Sequence, residues 1–113
     1  MKWNKLDNID TLDKISTESK EQSVIIFKHS TSCSISAMAL NRLERSWNEG
    51  EMSEVKPYYL DLISYRNISN AIAEKFGVTH QSPQVLLIKN GECVYDDSHM
   101  GINYQNLKTE IGL

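Results

Sequence analysis

Short apolar runs alternate along this chain with longer segments in which apolar residues recur at helical spacing. Short β-branched runs indicate buried strands, whereas apolar positions three or four residues apart indicate helices that pack through one face. The runs are Ser23–Lys28, Pro57–Ile63 and Gln84–Lys89, and the helical segments are Ile9–Ile15, Ile35–Trp47, Arg66–Phe76 and Asn103–Ile111. Strands joined by helices favour parallel pairing, so the alternation predicts an α/β sandwich around a small sheet.

A hairpin signal follows the third strand. Asn90-Gly91 is typical of a two-residue type I′ turn, so Glu92–Tyr95 is expected to return as an antiparallel partner. We expect Val24–Phe27 and Tyr58–Leu62 to run parallel to each other, with Gln84–Lys89 antiparallel to both. The sequence therefore predicts a mixed sheet of four or five strands.

Length and charge narrow the class of protein. A chain of 113 residues predicts one domain over residues 1–113. Twelve basic against fifteen acidic residues give a net charge of −3, which argues against nucleic acid as the main partner. Apolar runs such as Val85–Ile88 are too short to cross a membrane, and no secretory signal precedes them. Two widely spaced cysteines form neither a disulfide framework nor a zinc site, so we expect a cytoplasmic protein with free thiols.

Cys33 follows the polar turn His29–Ser32, where the first strand gives way to a helix. The first N–H groups of a helix are unpaired, and its N-terminus carries partial positive charge that stabilises a thiolate. We therefore expect the pKa of Cys33 to lie below the ordinary value of about 8.5 and its thiolate to act as a nucleophile. Ser36, one helical turn later, is expected to donate a hydrogen bond to the sulfur. The alternative role of Cys33 is that of a small buried hydrophobic residue.

The dipeptide Ser82-Pro83 lies immediately before a predicted strand, where proline is uncommon. A cis bond here would leave the backbone groups of Ser82 free to pair with an extended substrate segment. The alternative is an ordinary trans proline that begins an edge strand. Spacing alone does not decide between the two.

The order strand, cysteine, helix, then strand and helix, then proline, strand, hairpin and final helix resembles the thioredoxin fold over nearly the whole chain. That fold is a three-layer sandwich with a mixed sheet. The resemblance implies that Pro83 is a cis-proline and that its loop contacts Cys33.

Three segments narrow the resemblance to the monothiol bacilliredoxin family, whose motif is Thr-Cys-Pro-Ile-Ser. They are the segments over residues 28–36, 57–60 and 77–84. Ser32 replaces the threonine of that motif, and Ser34 replaces its proline. The resemblance implies that Cys33 is the active cysteine and that Ser36 occupies the usual position of a resolving cysteine. It also implies bacillithiol as the small thiol, bacillithiolated proteins as partners, and no metal or other cofactor.

Further polar residues flank these two landmarks. His29, His80 and Ser82 are candidates for binding substrate, and the histidines could also be merely solvated. Cys93, in the hairpin's return strand, is interpreted as a structural or incidental thiol. The basic side chains Lys28, Arg66 and Lys75 are interpreted as solvated charges, and His99 as a weaker candidate than the other two histidines.

We interpret the chain as a monomeric thiol–disulfide oxidoreductase that acts through Cys33. Two alternatives stay open. Cys33-Ser34-Ile35-Ser36 has the Cys-x-x-Ser outline of monothiol glutaredoxins that hold a shared iron–sulfur cluster, although their Gly-Phe filling is absent. A redox-inactive adaptor that keeps only the fold is the other alternative.

Overall fold

The computed structural model describes all 113 residues of the chain. Its five strands are β1 (Asn4–Lys5), β2 (Ser23–His29), β3 (Val55–Asp61), β4 (Gln84–Lys89) and β5 (Glu92–Ser98). Its helices are α1 (Thr11–Glu18), α2 (Ser34–Ser46), α3 (Arg66–Phe76) and α4 (Tyr104–Ile111), with a short 3-10 helix at His99–Gly101. None of them combines the length and the apolar composition that crossing a lipid bilayer requires.

The strands form one mixed sheet in the order β1-β3-β2-β4-β5. The central strand β2 runs parallel to β3 and antiparallel to β4, and the two outer pairs are parallel β1–β3 and antiparallel β4–β5. The predicted strand directions are therefore confirmed. The hairpin turn also has the predicted geometry, since Asn90 and Gly91 both have positive φ, 53° and 77°.

Side-chain alternation along β2 divides the core into two clusters. Val24 and Ile26 point to the face that α1 and α3 cover, whereas Ile25 and Phe27 point to the face that α2 and α4 cover. Because both faces are covered, β2 is buried along nearly its whole length, as its continuous apolar run indicates. The result is the predicted sandwich of helices, sheet and helices.

Several element boundaries differ from those predicted. Helix α1 begins only at Thr11, because the Asn8 side chain accepts the Asp10 N–H and turns the chain first. It continues through Glu18, whose carboxylate accepts a hydrogen bond from the Tyr58 hydroxyl at 2.6 Å. Strand β3 ends at Asp61 rather than at Ile63, because the Asp61 carboxylate accepts the next N–H groups and reverses the chain.

The buried face of α2 matches only part of the stripe that apolar spacing predicts, which is Ile35, Met38, Ala39, Leu43 and Trp47. Ile35 and Met38 are 49% and 61% exposed, whereas Ser36 is fully buried together with Ala39 and Leu43. A serine can occupy this inward position because it makes two hydrogen bonds there, described below. The helix therefore presents two apolar side chains to solvent beside Cys33.

We expect Gly77→Ala to lower the free energy of unfolding by about 1 kcal/mol, because Gly77 ends α3 in the left-handed conformation with φ of 64°. No atom lies within 4 Å of the added Cβ, so the loss comes from the backbone alone. Gly77→Asn should lose less, since asparagine tolerates this conformation. Urea unfolding of the three proteins measures the difference, and equal stability of the alanine variant would contradict the assignment.

Candidate active site

The backbone of Cys33 holds it as the N-terminal capping residue of α2. Its N–H donates to the Ser30 carbonyl at 3.1 Å, and its own carbonyl accepts the Ala37 N–H at 3.1 Å. Its side chain makes no capping hydrogen bond, is half-buried and forms no disulfide. The thiol is thus left free beside the unpaired N–H groups of the first helical turn.

The Ser36 hydroxyl is occupied inside the protein. Its Oγ accepts the Ser30 N–H at 3.0 Å and lies 2.7 Å from His29 Nδ1. Ser36 is fully buried, so both of these contacts are made inside the protein. No hydrogen bond joins Ser36 to the Cys33 sulfur, so that expectation is wrong: the hydroxyl contacts His29 and the Ser30 N–H instead.

His29 lies inside the protein rather than in a solvated turn. It is the last residue of β2, is 7% exposed, and its ring lies 5.7 Å from the Tyr59 ring between centroids. Burial lowers the pKa of His29, against the opposing effect of the Asp61 and Glu44 carboxylates. The imidazole is therefore neutral at pH 7, and its Nδ1 is hydrogen-bonded to Ser36.

The loop before β4 contains the second predicted landmark. The Ser82–Pro83 peptide bond is cis, as the family resemblance implies. The buried Gln84 side chain holds this loop: its Nε2 donates to the Thr79 carbonyl at 3.0 Å, and its Oε1 accepts the Gln81 N–H at 3.4 Å. The backbone N–H and C=O of Ser82 take part in no hydrogen bond within the chain.

Strand pairing brings this loop to the same edge of the sheet as Cys33. Gln84, directly after Pro83, pairs with Lys28, five residues before Cys33. His80 lies in the same loop and is half-buried. The predicted site residues therefore lie at one edge of the sheet, although His29 and Ser36 are buried below the protein surface there.

Lys28 is fully buried, so its interpretation as a solvated charge is wrong. It lies on the face of β2 that α3 covers, where its Nζ donates to the Ser69 carbonyl and to His80 Nδ1, each at 3.4 Å. Burial lowers the pKa of Lys28 to about 8. Burial also lowers the pKa of His80, and the positive charges of Lys28 and Arg66 lower it further.

Sequence reasoning missed Lys28, Ser69 and Gln84 as parts of this site. A signal was available for two of them. Lys28 and Gln84 each belong to a strand that helices cover on both faces, where every position but one terminal residue is buried. Ser69 carries no such signal, because a serine in the first turns of a helix is ordinary.

Cys93 lies apart from Cys33. It pairs with Ile88, whereas the segment leading to Cys33 pairs with Gln84, and four residues of β4 span about 13 Å. A disulfide requires Cα atoms within roughly 7 Å. Its thiol donates to the Tyr95 carbonyl at 3.3 Å, and burial raises the pKa of Cys93.

No cluster of three or more His, Cys, Asp or Glu side chains that could hold a metal ion is present in the chain. One free cysteine at the first turn of the helix that follows the central strand, at the same sheet edge as a cis-proline, defines a thioredoxin-fold protein with one free thiol at this site. Comparisons with known proteins agree with this class. Thioredoxins from Fasciola hepatica and Malassezia sympodialis superpose with TM-scores of 0.68 and 0.73 at 22% and 17% identity, covering 96% and 97% of this chain and 95% and 88% of theirs.

A further comparison places the chain in one family among the proteins that share this fold. The model of the monothiol bacilliredoxin (BrxC) family matches residues 4–107, so the chain belongs to that family. A solved protein of thioredoxin fold, whose description proposes it as an oxidoreductase, is 34% identical with a TM-score of 0.79. That similarity covers 94% of this chain and 90% of the other. Family and fold together support a function in thiol redox chemistry.

We expect Lys28→Met to raise the free energy of unfolding at pH 7 by about 1–2 kcal/mol, because methionine fills a similar volume without burying a charge. The advantage should shrink as pH rises from 8 toward 10, because the folded protein releases this proton near pH 8 while the unfolded chain holds it to about 10.4. Wild-type stability therefore gains relative to the variant in this window. Urea unfolding at several pH values measures the difference, and a variant less stable than wild type at pH 7 would contradict it.

Proposed function

We propose that this chain is a monothiol thiol–disulfide oxidoreductase that removes bacillithiol from protein mixed disulfides through Cys33. The observation that carries the proposal is the free Cys33 thiol at the start of α2, with a fully buried serine where a resolving thiol would stand. Membership of the monothiol bacilliredoxin family supports bacillithiol as the small thiol. We propose a cytoplasmic monomer that requires no bound cofactor.

The exchange proceeds in two balanced steps. The Cys33 thiolate attacks the bacillithiol sulfur of the modified protein, a Cys33–bacillithiol disulfide forms, and the protein thiolate leaves and takes a proton from solvent. A second small thiolate then attacks the bacillithiol sulfur of that mixed disulfide. A small-molecule disulfide leaves, and the Cys33 thiolate is restored.

We propose roles for the residues around Cys33 from their positions in the structure. The unpaired backbone groups of Ser82 would hold an extended segment of the protein substrate by strand-like hydrogen bonds. Ser36 and His29 position the first turn of α2 through their buried hydrogen bond. His80, half-buried in the cis-proline loop, is proposed to contact the small thiol, and Pro83 to shape the surface against which the disulfide lies.

Cys33→Ser should abolish formation of a mixed disulfide with oxidised bacillithiol, because the only thiol at the site is lost. Cys93→Ser is the matched control and should change the exchange rate by less than about twofold, since that thiol is hydrogen-bonded and its pKa is raised. Intact-mass spectrometry after exposure to oxidised bacillithiol, with oxidised glutathione in parallel, reports the adduct and its position. A Cys33–Cys93 disulfide that forms faster than the adduct would overturn the monothiol mechanism.

Ser36→Cys should convert the site to a dithiol that expels the small thiol. Positions one helical turn apart lie within the roughly 7 Å between Cα atoms that a disulfide needs. The Cys33 adduct should therefore give way to an internal disulfide, seen as the loss of two hydrogens in intact mass. Ser34→Cys is the matched control, since adjacent Cα atoms are too close for an unstrained disulfide. A persistent adduct in the Ser36→Cys protein would contradict the proposed geometry.

A further inference from the structure

Three basic side chains at the Cys33 edge of the sheet have no carboxylate partner. We call them the basic cluster: Lys28 is fully buried, His80 is half-buried, and Arg66 is exposed at the first position of α3. The four ion pairs of the chain involve other residues. The cluster is thus an uncompensated positive region in a protein of net charge −3.

His80 presents a hydrogen-bond donor outward from the buried Lys28 ammonium. The Lys28 ammonium donates to His80 Nδ1 at 3.4 Å, so that nitrogen acts as an acceptor and the imidazole proton lies on Nε2. The Ser69 hydroxyl lies 3.3 Å from the same nitrogen, so Nδ1 is fully occupied inside the protein. The Nε2–H has no partner within the chain and is available to a ligand.

The two sides of β2 differ in charge at this edge. The Asp61 and Glu44 carboxylates act on His29, on the face that α2 covers. The charges that act on His80 are both positive, Lys28 and Arg66. The N-terminus of α3 adds partial positive charge on the same side. A buried ammonium without a carboxylate lowers stability, and such groups are more frequent at functional sites than elsewhere.

We propose that the basic cluster binds an anionic group of carboxylate type on the small thiol that exchanges at Cys33. His80 and Arg66 contact the anion, and Lys28 supplies positive charge from beneath them. This inference rests on the proposed function, because it says which residues bind the part of the small thiol that takes no part in the sulfur exchange. It predicts that small disulfides are selected by charge as well as by their sulfur chemistry.

A series of small symmetrical disulfides tests the charge preference: 3,3′-dithiodipropionate (anionic), bis(2-hydroxyethyl) disulfide (neutral) and cystamine (cationic). For each, the rate of mixed-disulfide formation at Cys33 is measured by acid quench and intact mass, for wild type and for Lys28→Met. We expect the variant to react roughly tenfold more slowly with the anionic disulfide, as expected for loss of one charge several ångströms away. Its rate with the neutral disulfide should stay within about twofold, and its rate with cystamine should rise.

For each disulfide, the rate of the variant is divided by the rate of wild type, and this ratio removes two other effects. Leaving-group differences cancel within each disulfide, and any change in Cys33 nucleophilicity affects all three disulfides equally. Arg66→Gln, at an exposed position, should reproduce the pattern with a smaller loss, so the test does not depend on the buried variant folding. Raising the ionic strength should reduce the anionic preference of wild type, because salt screens the partly exposed cluster.

Lys20→Met is the matched control, since it removes one positive charge from an exposed turn before β2, at the opposite end of that strand from Cys33. It should leave all three rates unchanged. Equal ratios for the three disulfides in both Lys28→Met and Arg66→Gln would overturn the inference. Failure of the wild-type protein to react with any of the three disulfides would instead contradict the proposed function itself.

Discussion

The antiparallel pairing of β2 with β4 brings together the two parts of the candidate site, Cys33 and the cis-proline loop, which are far apart in sequence. Its register runs from Val24 opposite Ile88 to Lys28 opposite Gln84. At the Gln84 end, one strand continues into Cys33 and the other begins just after the cis Ser82–Pro83 bond. A slip of one residue would turn every side chain of β2 to the opposite face, so burial on both faces fixes the register firmly.

The same strand ends in two polar residues that point to opposite faces. Lys28 meets α3 and His29 meets α2, and each contacts a fully buried serine near the start of its helix, Ser69 or Ser36. A serine is small enough to let the helix approach the sheet. The Ser36 hydroxyl contacts the His29 ring nitrogen, whereas Ser69 accepts the Lys28 ammonium through its backbone carbonyl and contacts His80 through its hydroxyl. The first turns of both helices are therefore tied to the end of β2 by hydrogen bonds rather than by apolar packing alone.

Much of this architecture could be predicted from local sequence signals. The Asn90-Gly91 turn, the bounds of α3 and its stop at Gly77 follow from short patterns whose physics is local. Spacing alone does not decide whether the Ser82–Pro83 bond is cis or trans, and only the family resemblance implies the cis bond. Strand β1 gives no periodic signal, because two residues are too few to show one.

The interior of the site was less predictable, because it depends on contacts between distant residues. A lysine at the end of an apolar run is usually solvated, and Lys28 is buried only because α3 covers that face. The apolar spacing of α2 pointed to Ile35 and Met38, yet Ser36 turns inward since His29 and Ser30 satisfy its hydroxyl. The sequence shows each residue, but not the partner that makes its burial possible.

In the mechanism proposed above, a serine at position 36 leaves Cys33 dependent on a second thiol from outside the protein. A thiol at that position would release Cys33 from a mixed disulfide within the protein, whereas the hydroxyl is held between Ser30 and His29. Release then requires a second small thiol to approach the same sulfur in line. A protein that depends on such an encounter benefits from charge that orients the small molecule beside the disulfide. Under the inference above, the buried ammonium of Lys28 supplies that charge. It lies on the face of β2 opposite Ser36, the residue that stands where a resolving thiol would be.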